Sequence, residues 1–216
     1  MVFRSGILFL CAALLFLPAC SSMYYGAMEK VGVHKRDILA DRVEAARDSQ
    51  QETKEQFASA LERFRSVMNF DGGELEDKYD ELNAVLERSE AQAEEVSERI
   101  AAVEDVAEAL FDEWDGELDQ YTSKSLREQS RNKLKQTRSR YAKLIGAMKK
   151  AEGRIAPVLN PLRDQVLFLK HNLNARAISS LKNELGGIET DVTRLVREME
   201  LSIKEADSFI RMLQQE

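Results

Sequence analysis

Apolar residues recur along most of this chain in alternating steps of four and three. From Leu39 the series runs through Val43, Ala46, Gln50, Thr53, Phe57, Ala60, Phe64 and Val67. Side chains at that spacing share one stripe of an α-helix. Asp71-Gly72-Gly73 then interrupts the series, and adjacent glycines turn a helix end at low cost. The series restarts at Leu75 and passes Tyr79, Leu82, Leu86, Ser89, Ala93, Val96, Ile100, Val103, Ala107 and Leu110 to Trp114. Two stripes of similar length with a short joint predict an antiparallel helical hairpin with arms roughly 60 Å long. Gln50, Thr53 and Ser89 lie on these stripes without apolar bulk. Polar residues there lower stability and can fix register.

Asp115-Gly116 marks a kink or stop, and Ser125 followed by Glu128 fits a capping box for a third helix. Its stripe is Leu134, Thr137, Tyr141, Leu144, Met148, Ala151 and Ile155. Pro157 and Pro161 follow one turn apart. Each lacks the backbone donor an interior helix position needs and disfavours helical geometry in the residue before it. Asn160-Pro161 reads as an N-cap with a first-turn proline. A joint is therefore expected at 155–160, with a single bent helix as the alternative. The last helix then runs from Pro161 nearly to the end, through Leu181, Leu185, Ile188, Val192, Leu195, Met199, Ser202, Ala206, Phe209 and Leu213. Gly186-Gly187 lies inside it without breaking the spacing, so a weak spot is expected there rather than a turn. No stretch alternates with period two, so no sheet is expected. The predicted fold is all-α. It is an elongated antiparallel helical bundle or coiled coil of about four long helices, near 29–69, 74–114, 124–155 and 161–213. Heptads alone leave open whether the stripes close within one chain or between chains.

Charge adds a pairing hint. Asp71 to Asp119 holds 19 acidic and 3 basic residues, net −16, whereas Lys124 to Arg154 holds 11 basic and 2 acidic, net +9. Packed side by side, the second and third helices neutralise much of each other.

The first residues follow a different rule. Arg4 gives a positive start, Gly6 to Leu17 is an apolar run, and Leu17-Pro18-Ala19-Cys20 places small Ala19 before a cysteine. Residues 1–19 read as an export signal, and the apolar run is too short to span a bilayer. The Leu17–Cys20 segment resembles the lipobox of bacterial lipoproteins. That resemblance implies a lipidated Cys20 as first mature residue, a spacer over 20–28 and the helical domain over 29–216. Plain secretion or an uncleaved anchor is the alternative. Without Arg4 the chain from Cys20 carries 30 basic and 38 acidic side chains, net −8. Cys11 leaves with the signal and Cys20 carries lipid, so no disulfide is available and stability must come from packing. By analogy with lipoprotein sorting, Ser21 in place of Asp favours the outer membrane, facing the periplasm.

Candidate chemistry is sparse. Arg131, Lys135 and Arg138 on the basic helix are candidate anion-binding residues for lipopolysaccharide or peptidoglycan, against a bland reading in which that helix pairs with its acidic neighbour. Nucleic acid is absent from the compartment that export implies and is not expected as a partner, and Tyr141 alone does not make a base-stacking platform. Val166-Leu-Phe-Leu169 points in every direction around a helix. This marks a core helix or a docking surface. Phe168, Lys170, His171, Asn172, Asn174 and Arg176 are accordingly candidate contacts for a protein partner in the envelope, and self-association is also open. His34 and His171 are the only histidines. Neither has the companions of a metal site, no phosphate loop or nucleophile elbow is present, and no cofactor is expected. The chain reads as a tethering or scaffold module and not as an enzyme.

Leu118-Asp-Gln-Tyr-Thr122, Tyr141 and especially Asp164-Gln-Val-Leu-Phe-Leu-Lys-His-Asn-Leu-Asn-Ala-Arg-Ala-Ile178 resemble a family of uncharacterised coiled-coil lipoproteins of Gram-negative bacteria. The resemblance covers most of the mature chain. It implies a helical envelope protein and brings no activity with it.

Overall fold

The computed structural model describes residues 24–25, 28–29, 32–68, 75–172 and 175–215, without the side chains of 68 and 175–183. Its long elements are α1 (Lys35–Met68), α2 (Leu75–Glu117), α3 (Lys124–Glu152), α4 (Ile155–His171) and α5 (Ala175–Gln214). A single 3-10 turn, Leu118–Gln120, follows α2, and no strand occurs among the described residues. The fold is the expected elongated all-α bundle.

Contacts between the helices fix their directions. α1 and α2 are antiparallel: Lys35 Nζ lies 3.0 Å from Glu113 at one end, and Arg63 Nη1 lies 2.6 Å from Glu81 near the other. α5 runs antiparallel to α1, with Arg47 paired to Asp207 and Arg65 to Glu189. α3 and α4 continue in one line along α2. Lys149 reaches Glu104 at 2.5 Å, and Arg163 reaches Glu90 at 2.7 Å. Four antiparallel rods result: α1, α2, α3 with α4, and α5. The acidic α2 thus lies beside the basic α3. At 1.5 Å per residue the 34 residues of α1 span roughly 51 Å.

The stripes face inward. Phe57, Leu82, Val103, Leu144, Leu195 and Phe209 are among the buried residues of one continuous core. Removing such a side chain from water is worth about 1.5–3 kcal/mol. At one end Phe111, Tyr141 and Phe209 form an aromatic group, with ring centres 5.4 Å and 6.3 Å apart.

Three boundaries differ from the sequence reading. The third rod breaks at Gly153–Arg154, and α4 contains both prolines. Pro157 falls in the first turn, where a backbone donor has no intrahelical partner anyway. Pro161 lies inside α4 and forgoes one backbone hydrogen bond, while buried Val158, Leu162, Val166 and Leu169 hold the helix to the core. Asn160 is therefore no cap, and the expected helix over 161–213 is two helices. The first ends at His171, where the Asn172 N–H donates to the Leu169 carbonyl and Asn172 Nδ2 donates to the Phe168 carbonyl. The cap of α3 also moves. Ser123 Oγ accepts from the Leu126 N–H at 3.3 Å, and Ser125 lies within the helix. Gly186 and Gly187 sit inside α5, which continues through them.

Candidate functional site

Cys20 lies outside the described residues. The nearest described segment is tied down on α2. Tyr25 is buried, and its hydroxyl donates to Asp105 Oδ2 at 2.6 Å. Burial, reinforced by the Asp105 carboxylate, pushes the Tyr25 hydroxyl well above its usual range. A turn at Gly32, with φ of 84°, leads into α1; this left-handed backbone suits glycine. Lys35 then bridges Glu29 and Glu113. Burial opposes the Lys35 charge, but the two carboxylates outweigh it and hold the ammonium above its usual range. Hydrogen bonding from Lys35 in turn holds Glu29 below the usual carboxylate range.

The far end of the bundle carries the second candidate group. The run Val166–Leu169 divides. Val166 and Leu169 are buried, whereas Leu167 is 56% and Phe168 42% exposed. Lys170 and His171 are exposed, and Asn172 is half-buried while capping α4. Asn174 lies outside the described residues. Arg176 lies in the first turn of α5, and its side chain is likewise outside them. The all-round apolar pattern thus serves two purposes: half of it fills the core and half lies on the surface.

The three basic candidates separate. Arg131 pairs with Glu128 of its own helix at 3.1 Å. Arg138 ties α3 to α2, donating to the Phe111 carbonyl at 3.1 Å and lying 5.5 Å from the centre of the Phe111 ring. Lys135 faces outward with Asn132, Gln136, Ser139, Arg140 and Lys143 around a shallow open depression. Lys135, Arg140 and Lys143 make no hydrogen bond or ion pair among the described residues. Sequence reading missed Arg140 and Lys143. Their signal was their position off the stripe Leu134, Thr137, Tyr141 and Leu144, which leaves both exposed to solvent.

A groove of about 390 Å³ opens between α2 and the α3–α4 break, lined by Ala93, Glu94, Ser97, Glu152, Ile155 and Arg163 among others. Ser97 Oγ donates to Glu152 across it at 2.6 Å. Among the described residues no group of three or more His, Cys, Asp or Glu side chains is placed to hold a metal ion. No helix among them is long and apolar enough to cross a membrane.

A family model described as "Protein of unknown function (DUF2959)" matches residues 24–213. The chain belongs to that family. The DUF2959 match takes in all five helices nearly to the end of α5 and begins just before Tyr25, so the N-terminal segment tied to α2 is part of the family domain. No curated protein and no solved structure matches the chain.

Proposed function

We propose that the protein is a lipid-anchored tether of the bacterial envelope. Acylated Cys20 holds it in the outer membrane, and the bundle carries binding surfaces into the periplasm without catalysing a reaction. The supporting observation is the burial of Tyr25 on α2. Four residues separate Tyr25 from Cys20, and the five residue steps of an extended chain reach at most about 18 Å. On this reading the anchor lies within that reach of the Asp105 level, in the half of the rod that ends at Lys35 and Glu113. Leu167, Phe168, Lys170 and His171 lie near its other end, the position a tether needs for a protein partner. Two acyl-type attachments give stable membrane residence, whereas a single chain does not.

Blocking lipoprotein signal cleavage with globomycin should accumulate a larger precursor, and Cys20→Ala should release the protein from membranes. A mature size and a membrane fraction unchanged by both treatments would sink the reading. Photocrosslinking from position 168 in living cells should give a discrete protein adduct, with position 94 as the comparison.

A further inference from the structure

The outward face of α3 presents Lys135, Arg140 and Lys143 with no carboxylate paired to them among the described residues, although the acidic α2 packs beside it. The exposed flank of α2 toward the third rod, where Glu94 lines the groove and Glu108 follows Glu104 by one turn, has the opposite surplus. Glu94, Glu98, Glu108 and Asp112 are exposed, and none makes a hydrogen bond or an ion pair among the described residues. Their spacing of four, ten and four residues keeps them along one side of the helix.

The two surpluses also share a height on the rod. Arg138 meets Phe111 and Asp115, and Lys149 meets Glu104, which gives two rungs between α3 and α2. Arg140 and Lys143 lie between those rungs on α3. Glu108 lies between them on α2, with Asp112 at the lower rung. A second copy standing beside the first, parallel and unshifted along the axis, brings its carboxylates level with these cations.

We infer that a second copy of this chain occupies the basic face of α3, through Glu108 and Asp112 of its α2. The inference rests on the tether reading for one element, the common height and direction that anchoring in one bilayer imposes. Exposed ion pairs are individually weak, so the contact needs several at once. Confinement to a membrane raises the effective concentration that lets weak contacts form.

The test uses the full chain in cell membranes. Two copies are co-expressed, one carrying Lys143→Cys and one Glu108→Cys, and treated with a short bis-maleimide. The unsubstituted chain serves as control. A band at twice the chain mass is expected for this level pair and not for Lys143→Cys with Glu76→Cys, which lies far along α2. Lys135→Glu, Arg140→Glu and Lys143→Glu together should reduce a level-pair band at least tenfold, read from Ser139→Cys in that copy. Glu108→Lys with Asp112→Lys in the partner, probed from Ala109→Cys, should restore it. No band, a band indifferent to charge reversal, or equal bands from the level and offset pairs would each overturn the inference. So would loss of cosedimentation with purified peptidoglycan in the triple reversal without any cross-link, since the face would then belong to a polymer. Failure of the tether reading is seen separately, as membrane retention of Cys20→Ala.

Discussion

Two neighbouring stretches of α1 do different work. Around Phe57 and Phe64 the stripe is large and apolar, and both rings are buried. One to two turns earlier it is polar. Ser49, Gln50 and Thr53 are buried there, level with Ser202 on α5 and near Ser89 and Gln92 on α2. Ser202 Oγ donates to Gln50 Oε1 at 2.7 Å, Thr53 Oγ1 reaches Gln92 Oε1 at 3.3 Å, and Gln56 Nε2 donates to Ser89 Oγ at 3.2 Å. Gln50 Nε2 and Ser49 Oγ are buried without a hydrogen-bond partner in the protein. The aromatic layer contributes stability that any well-filled layer would supply. The polar layer contributes less stability and more direction. Sliding α1 by a heptad against α2 or α5 would set Gln50 against apolar side chains, and a buried amide without a partner is costly. The α3–α4 break lies close to the same height, beside the groove at Ser97 and Glu152, so the middle of the bundle is its least apolar section.

The largest expected effect comes from breaking the aromatic layer. Phe57→Ala should cost about 3–5 kcal/mol in denaturant unfolding, through lost transfer energy and the cavity left behind. Ser202→Ala strips Gln50 Oε1 of its donor and should cost about 1–3 kcal/mol. Adding Gln50→Leu to it should return stability to within about 1 kcal/mol of the parent, because both polar partners are then gone. If the polar layer sets register, the double variant should also populate other oligomers in sedimentation; a single unchanged species would remove the register role.

A gain is expected in α5. A Cβ built on Gly186 or Gly187 meets nothing within 4 Å, so Gly187→Ala should stabilise by about 0.5–1 kcal/mol. A loss on the same unfolding curve would mean that the glycines allow a bend the protein uses.

The smallest effect concerns pH at the N-terminal segment. The folded pKa values of Tyr25 and Lys35 are raised, so their contribution is fully present below the ordinary tyrosine and lysine ranges. It is lost as pH rises through the folded values. The folded pKa of Glu29 is lowered, so its contribution is present above the ordinary carboxylate range and lost as pH falls through the folded value. The segment should therefore stay docked between these limits and loosen outside them. In an ultraviolet titration of the five tyrosines, Tyr25 should ionise late together with Tyr141, which burial pushes up to about 12. Tyr25→Phe should shrink the late class by one; an unchanged late class would show that Tyr25 is not docked.

The sequence by itself determined that the chain is helical and which face of each helix turns inward. A 3.6-residue period leaves one consistent stripe, and the stripes from Leu39 to Trp114 and from Leu134 to Ile155 could be followed residue by residue. It also implied that α2 and α3 lie together, since their charges differ so widely. The place where the third rod ends was decided by packing. Pro157 and Pro161 carry a strong local signal for a break, yet a first-turn proline costs a helix little, and the buried face of α4 outweighs the single bond lost at Pro161. The reversal falls instead after Asn172, whose side chain caps α4, a weaker local signal than two prolines. The candidate basic site was legible as a charge excess, but its members were not. Arg131 and Arg138 find partners on α3 and α2, whereas Arg140 and Lys143 make no hydrogen bond or ion pair among the described residues. Whether a cation is spent inside the bundle or left to solvent depends on which carboxylate or carbonyl a neighbouring helix brings within reach, and that distance exists only once the rods are packed.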